Sequence, residues 1–396
     1  MKNVYYSILG LGFLLFCLTL CTEPYTPPEI QGKHNYLVVD GFINSGTDSS
    51  FITLSRSKNI GDERLIEYEN TAQMQLEGEA GSIHQFVLLK NGVYALPVLI
   101  LNANANYRLR IKLKGKEYLS EQFPVTQSPE IDSISWKQDK NGVRILANTH
   151  DVTDKSRYYK WDFVETWEYV SKYESLYKYE NGKLKRRNLA TEDINRCWKT
   201  EVSHSVNLGT TAGLTKDVIY EVPIHTIPFS SFRLSRKYSI LVKQYVVTPK
   251  AFDYWLNMKK NTEQPGSIFD PQPSQISSNI HCLTTPEEPV IGYIGAGTIK
   301  KQRIFVDKTQ LLPHFRPNEY DACKIDSFYT VLPPWLGPGP DKDPDWVWHL
   351  FSNGKRLPIR VTYIPDTRDT ICILSLKECV DCREKGGVTK KPDFWP

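Results

Sequence analysis

Apolar and polar side chains alternate along short stretches in the first third of the chain. In the segment 50–57, Phe51, Thr53 and Ser55 share one face of an extended chain, whereas Ile52 and Leu54 share the other. A period of two residues is typical of a β-strand with one buried face. The pattern predicts strands at 36–43, 50–57, 72–77, 84–89, 106–113 and 117–123. Short strands at this spacing predict a β-sandwich of immunoglobulin-like or transthyretin-like type over residues 36–128.

Residues 129–396 are predicted to form a larger β-rich domain with one packed helix. Its strands are predicted at 131–136, 142–149, 158–169, 237–247, 290–296 and 301–306. The alternating aromatic residues of 158–169 favour a half-buried sheet face over a binding platform. Thr248-Pro249 begins a helix at about 250–262, in which Phe252, Trp255 and Leu256 share one face. A stretch dense in Pro, Gly and Asp predicts a large surface loop at about 332–346.

The N-terminus has the pattern of a secretory signal. Lys2 is followed by an apolar run that ends at Cys21, after which Thr22-Glu23-Pro24 opens a polar, Pro-rich stretch. Such a run is too short for a stable membrane span. We therefore expect a lipoprotein signal peptide at 1–20, acylation of Cys21 by chains such as palmitate, and a tether at 21–35. Plain secretion and an uncleaved anchor are the alternatives, because Leu20 stands where Gly, Ala or Ser usually precedes a lipidated cysteine.

Charge and composition exclude some classes of function. The 396 residues carry a net charge of +4, and removal of 1–20 takes away only Lys2 and leaves +3. No long basic run concentrates that charge, so nucleic-acid binding has little support. The run from Lys183 to Arg187 is interpreted as a solvated hairpin. The 12% of aromatic residues and 25 prolines favour strands and loops over helices.

Six cysteines remain after Cys17 and Cys21 are set aside. An even number in an exported chain favours disulfides, here up to three, and the sequence does not decide among the fifteen possible pairings. Cys379-Val380-Asp381-Cys382 also has the spacing of a zinc or redox pair, which stays as an alternative. The disulfide candidates are Cys197, Cys282, Cys323, Cys372, Cys379 and Cys382.

Several segments resemble the family known as domain of unknown function 4249. The matching segments are Leu37–Ile43, Thr53–Ser57, Arg196–Trp198, Tyr238–Tyr245, Tyr254-Trp255, Asn261–Glu263, Gly266–Pro273, Gly292-Tyr293, Cys379–Arg383 and Pro392–Trp395. The resemblance implies a lipoprotein of Bacteroidota-type bacteria, encoded beside a TonB-dependent outer-membrane receptor. It implies an outer-membrane location and leaves open the surface or the periplasmic face. The family has no established activity, so the resemblance supplies no catalytic residues.

Motifs of catalysis are absent from the sequence. It has no Gly-x-Ser-x-Gly elbow, no His-Glu-x-x-His helix and no Gly-rich phosphate loop. We therefore predict no enzyme activity, no cofactor and no metal site. Trp335, Trp346 and Trp348, in or beside the loop 332–346, are candidate contacts for a ligand or partner, because Trp supplies contact area at low entropic cost.

The expected function is that of a non-enzymatic outer-membrane lipoprotein. It would act as an accessory subunit of a TonB-dependent receptor and assist in ligand capture or uptake. A structural or adhesive surface module without a transporter partner is the alternative.

Overall fold

The computed structural model describes residues 35–58, 65–181, 183–263, 277–313, 320, 322–329, 351, 353–364 and 369–396. The fold is mainly β, with 51% strand and 11% helix, as the sequence predicted. Cys21, Trp335, Trp346, Trp348 and the loop 332–346 lie outside the described residues. Within the described ranges, none of the helices has the length and apolar character that crossing a bilayer requires.

The elements are numbered in chain order. The early strands are β1 (Leu37–Asn44), β2 (Ser50–Arg56), β3 (Gln73–Gly78), β4 (Ile83–Gln85), β5 (Val87–Lys90), β6 (Val93–Leu96), β7 (Asn106–Leu113), β8 (Lys116–Ser120) and β9 (Phe123–Thr126). The middle strands are β10 (Ile131–Asp139), β11 (Gly142–His150), β12 (Tyr158–Val170), β13 (Tyr177–Glu180), β14 (Lys183–Arg186), β15 (Arg196–Val202), β16 (Asn207–Thr210), β17 (Val218–Pro228) and β18 (Lys237–Val246). The late strands are β19 (Ile280–Cys282), β20 (Val290–Ile291), β21 (Ala296–Gly297), β22 (Lys300–Asp307), β23 (Ile325–Tyr329), β24 (Arg356–Ile364) and β25 (Asp369–Leu376). The α-helices are α1 (Leu189–Glu192), α2 (Pro249–Glu263) and α3 (Lys377–Val380), and 3₁₀ turns lie at Phe232–Leu234, Lys308–Gln310 and Cys382–Lys385.

The early strands form a sandwich of two layers around one core. One layer has the order β5-β6-β2-β1, and the other has the order β4-β3-β7-β8. Ile52 and Leu54 point into the core, whereas Phe51 is half exposed on the outer face, as the alternation in β2 predicted. Lys114 and Gly115 both have positive φ, which fits the tight hairpin that joins β7 to β8.

Three short late strands complete this sandwich. β19 pairs with β8, β20 pairs in parallel with β1, and β21 lies between β1 and β9. The sequence analysis assigned residues 280–297 to the second region. The sandwich therefore contains chain from both predicted regions, and the polypeptide passes between the two bodies more than once.

The second body has two facing sheets. One sheet has the order β15-β12-β18-β22, with β16 beside the start of β12, and the other has the order β10-β11-β17. Tyr159, Trp161 and Phe163 of β12 are buried between the sheets. The aromatic stripe is therefore a half-buried sheet face, as predicted, and the residues between its members lie on the outer face.

Helix α2 matches its prediction to within one residue at each end. Thr248 precedes it, and the Oγ1 atom of Thr248 accepts a hydrogen bond from the amide of Ala251 at 3.2 Å. Phe252 packs on Tyr158 with ring centroids 5.1 Å apart, which attaches the helix to the sheet. The predicted basic hairpin is also present, as β13 and β14.

Disulfides tie the C-terminal part of the chain to the second body. Cys197 bonds to Cys382, and Cys323 bonds to Cys379, which is one bond fewer than the maximum of three. The two cysteines of the Cys379–Cys382 segment thus join different partners and do not form a redox or metal pair. The remaining two disulfide candidates, Cys282 and Cys372, are buried thiols without a disulfide partner, each in a different core cluster.

A candidate ligand-binding cleft

A cleft of about 440 Å³ lies where the outer face of the sandwich meets the outer face of the second body. Alternation along the strands places its side chains. In β1, Leu37 and Val39 point into the core, so Asp40 and Phe42 face outward. In β12, the buried aromatic residues leave Lys160 and Asp162 on the outer face.

The register of the second sheet groups the charged residues of this wall. Asp162 lies opposite Lys243 of β18, and Lys243 lies opposite Lys301 of β22. Lys160 lies opposite Tyr245 in the same sheet. Directly opposed residues of antiparallel strands have Cβ atoms about 5 Å apart. The pairing therefore brings three lysines to one small area of the cleft.

Two of the lysines are paired with carboxylates. Lys160 donates to Asp162 at 2.5 Å, and its ammonium lies 5.0 and 4.8 Å from the ring centroids of Tyr245 and Trp255. Lys301 donates to Asp48 at 2.7 Å. An ammonium above aromatic faces gains a cation–π attraction in addition to its ion pair. Lys160 is therefore held in place and its charge is satisfied within the protein.

The remaining two charges, Asp40 and Lys243, have no such partner. Neither side chain makes a hydrogen bond or ion pair with another described residue. Burial raises the pKa of Asp40 above its usual 3.8, with opposing effects from Lys160 and Asp162. Burial, with repulsion from Lys301, lowers the pKa of Lys243. Asp40 is exposed through the open side of the cleft and Lys243 is partly buried, and nearby protein atoms disfavour the charged form of both groups.

Aromatic rings form the remaining wall of the cleft. Phe42 packs edge-on against Tyr245 at 5.1 Å between centroids, and Trp255 of α2 and Tyr293 border the same space. Burial and the neighbouring carboxylate of Asp162 raise the pKa of Tyr245 well above its usual value. Tyr245 therefore stays a neutral hydroxyl at physiological pH.

Asn44, at the end of β1, borders the cleft and is only 4% exposed. Its Nδ2 donates to the carbonyl of Asp48 at 3.0 Å. Its Oδ1 has no hydrogen-bond partner in the part of the chain that the structure describes. A buried acceptor without a donor costs free energy, so such atoms need an explanation. This oxygen has almost no accessible surface, so a ligand in the cleft would contact it only after the Asn44 side chain turns.

The residues of this cleft are suited to binding. It offers both signs of charge, amide and hydroxyl groups, and flat aromatic surface, which are the features of sites for small polar ligands. No histidine or cysteine is among the described residues that line it. The described ranges also contain no group of three or more His, Cys, Asp or Glu side chains arranged to hold a metal ion.

The sequence analysis did not identify this site. Its candidate contacts, Trp335, Trp346 and Trp348, lie outside the described residues, and none of the cysteine candidates lines the cleft among those described. One signal could have found it. Asp40, Lys243, Tyr245, Trp255 and Tyr293 all fall in segments on which the family resemblance rests, and the fold brings those segments to one place.

Comparisons with known proteins agree with that resemblance. A family model described as a domain of unknown function, DUF4249, matches residues 22–303, well over half of the chain. The matched range includes every residue that lines the cleft. A search of curated proteins found no match.

Proposed function

We propose that this chain, which belongs to the DUF4249 family, is a non-enzymatic lipoprotein of the outer membrane that captures a small ligand. It does so in the cleft between the sandwich and the second body, as an accessory subunit of a TonB-dependent receptor. The observation that carries the proposal is a cleft lined by two charges, Asp40 and Lys243, that have no ion-pair partner among the described residues. Charges without partners in a confined space are costly to keep, and binding is a reason to keep them.

The anchor and the cleft suit each other in this role. Acylation of Cys21 would confine the protein to the membrane plane, since each buried methylene contributes roughly 0.8 kcal/mol. Confinement raises the effective concentration of the lipoprotein beside a receptor in the same membrane, so a weak contact suffices. A ligand held in the cleft is then already close to its transporter.

Binding accounts for the cleft better than catalysis does. Lys160 is occupied by Asp162 and two rings, and the Ser50 hydroxyl accepts from the backbone amide of Asn44 at 2.9 Å. Neither is arranged as a nucleophile beside a general base, which acyl and glycosyl transfer by covalent catalysis require. Lys160 and Ser50 are therefore recognition groups and not activated nucleophiles.

Affinity purification from detergent-solubilised outer membranes tests the proposal. Wild-type tagged protein is compared with Cys21→Ser and with Trp255→Ala, and the partners are identified by mass spectrometry. We expect a stoichiometric TonB-dependent receptor with the wild type, and release of Cys21→Ser in soluble form. Trp255→Ala serves as a control for attachment, because it alters the cleft and not the anchor.

Two results would contradict the proposal. Unchanged membrane retention of Cys21→Ser would refute lipid attachment. Recovery of the lipoprotein alone, in detergents that preserve other membrane complexes, would refute the receptor partnership and favour a free-standing structural or adhesive module.

A further inference from the structure

We infer that the ligand of the cleft is a small zwitterion, with a cationic group bound at Asp40 and an anionic group bound at Lys243. Free amino acids and short peptides are the chemical class that carries both groups on a compact frame. This inference rests on the proposed function, because it assumes that the cleft is the binding site.

The charges that line the cleft decide the class. Among the described residues, three aspartates and three lysines line it. Lys160–Asp162 and Lys301–Asp48 are ion pairs within the protein, at 2.5 and 2.7 Å. One carboxylate and one ammonium are left over, and they do not pair with each other. The protein therefore presents one negative and one positive group to whatever enters.

Asp40 and Lys243 lie on opposite walls. Asp40 belongs to β1 of the sandwich, and Lys243 belongs to β18 of the second body. Asp40 lies near Lys160 and Asp162, and Lys243 shares these two neighbours and also has Lys301 and Asp48 nearby. The two unpaired charges therefore face the same part of the cleft from different walls. A ligand that satisfies both must carry its own charges at a distance from each other.

Other ligand classes match the cleft less well. A simple anion would satisfy Lys243 and leave Asp40 confined with no partner, and a simple cation would do the reverse. A neutral sugar could stack on Trp255 but would bury both charges unpaired. Leaving a charged group desolvated without a counter-charge costs several kcal/mol, which is more than one stacking contact returns.

The neighbouring aromatic groups fit the side chain of an amino acid or peptide. Trp255 and Tyr293 offer flat apolar surface for a side chain. The aromatic wall therefore allows affinity to increase with the ligand's apolar side chain.

Calorimetric titration of the purified full-length protein in detergent tests the class. The probes are glycine, diglycine, triglycine and Gly-Phe, which vary the charge separation and the side chain at about 3.5 Å per residue. Acetate, inorganic phosphate, ethylammonium and maltose serve as anionic, cationic and neutral comparisons. We expect at least one zwitterion to bind at least tenfold more tightly than every comparison compound.

Variants connect that binding to the two charges. Asp40→Asn and Lys243→Met should each weaken the best zwitterion at least tenfold. Asp253→Asn, on α2 but outside the cleft lining, and Lys112→Met, on the exposed side of β7, are matched controls that should leave affinity unchanged. Far-ultraviolet circular dichroism and the unfolding midpoint confirm that each variant is folded.

The outcomes separate the inference from the proposed function. Binding of only phosphate or only maltose, lost in Trp255→Ala, overturns the zwitterion class and leaves the cleft as a binding site. Zwitterion binding that survives both Asp40→Asn and Lys243→Met overturns the assigned recognition groups. If no probe of any class binds, the inference fails, and receptor recovery in the affinity purification decides the proposed function separately.

Discussion

Removal of the Cys197–Cys382 disulfide should destabilise the protein by several kcal/mol while leaving its native fold in place. The bond joins residues 185 apart in sequence, and Cys323–Cys379 joins residues 56 apart inside that loop. The perturbation is the double replacement Cys197→Ala/Cys382→Ala, and Cys323→Ala/Cys379→Ala is its matched comparison. Cys197, Cys379 and Cys382 are buried and Cys323 is partly buried, so each variant removes two sulfur atoms that are largely shielded from solvent.

The magnitude follows from the chain that each bond closes. With the inner bond intact, the outer bond closes a loop shortened to about 130 residues. Loop-closure entropy then gives about 5 kcal/mol for the outer bond and about 4 kcal/mol for the inner one. The native tail keeps other attachments, because Tyr169 donates to the carbonyl of Cys382 at 2.7 Å and Trp198 exchanges two backbone hydrogen bonds with Val388. The loss should therefore arise in the unfolded state.

Urea unfolding without reductant measures the effect. Each variant should show a lower midpoint and a larger dependence of the free energy on urea, since an unfolded chain with one bond fewer exposes more surface. The outer variant should lose more than the inner one. A loss below about 1 kcal/mol for the outer bond, or the opposite order, would refute the unfolded-state argument.

Three further predictions address the Asp40 carboxylate of the cleft, the hydrogen bond between Tyr238 and Glu165, and the buried thiol of Cys372. Asp40→Asn should raise the unfolding midpoint at neutral pH. The pKa of Asp40 in the folded protein lies above 3.8, so ionisation of this group, which faces Lys160 and Asp162, lowers the stability of the wild type as pH rises through the folded pKa. In a series of thermal melts, the variant should gain no stability below pH 3.8. A variant that is less stable than the wild type at every pH would contradict this prediction. Tyr238→Phe removes the 2.7 Å hydrogen bond to the buried Glu165 carboxylate and should lower the free energy of unfolding in urea by about 1–3 kcal/mol. The control Tyr220→Phe, at a residue that is 74% exposed, should leave that free energy unchanged. Burial raises the pKa of the Cys372 thiol to about 11, so iodoacetamide should label it only after unfolding. Labelling in native buffer equal to that in the unfolded protein, measured by peptide mass spectrometry, would contradict the buried position of this thiol.

The fold class followed from the sequence because local patterns dominate most of the strands. β2, β7 and β12 alternate cleanly, and helix α2 has both a Thr-Pro start and an apolar face. β17 and β24 were not predicted, since each contains proline, and both turn out to be edge strands, where a missing N–H is tolerated. The strand predicted at 290–296 is divided into β20 and β21, and both pair within the sandwich and not within the second region. Their partners in β1 and β9 lie about 170 or more positions earlier in the chain, so no local pattern indicates the pairing.

The cleft was beyond sequence reasoning for a related physical cause. Its charged residues look like ordinary solvated positions on the polar faces of strands, and nothing local shows that two such faces meet. The register between β12, β18 and β22 brings the three lysines together, and the packing of the two bodies places Asp48 beside Lys301. The leftover charges become visible only when those pairings are known.

The two walls of the cleft are joined by hydrogen bonds, which bears on how a ligand enters. Thr126 at the end of β9 donates to the carbonyl of Val246 at 2.7 Å, and Ser128 accepts from the amide of Val246 at 2.9 Å. Gln244 donates to the carbonyl of Pro129 at 3.0 Å. Connections packed this closely oppose a hinge, because large rotation would break several bonds together. We therefore expect a preformed cleft, so that small-angle scattering shows the same radius of gyration with and without a saturating zwitterion. Compaction on binding would show instead that the walls close on the ligand. Asp40 and Lys243 would then lie closer together in the complex than in the free protein.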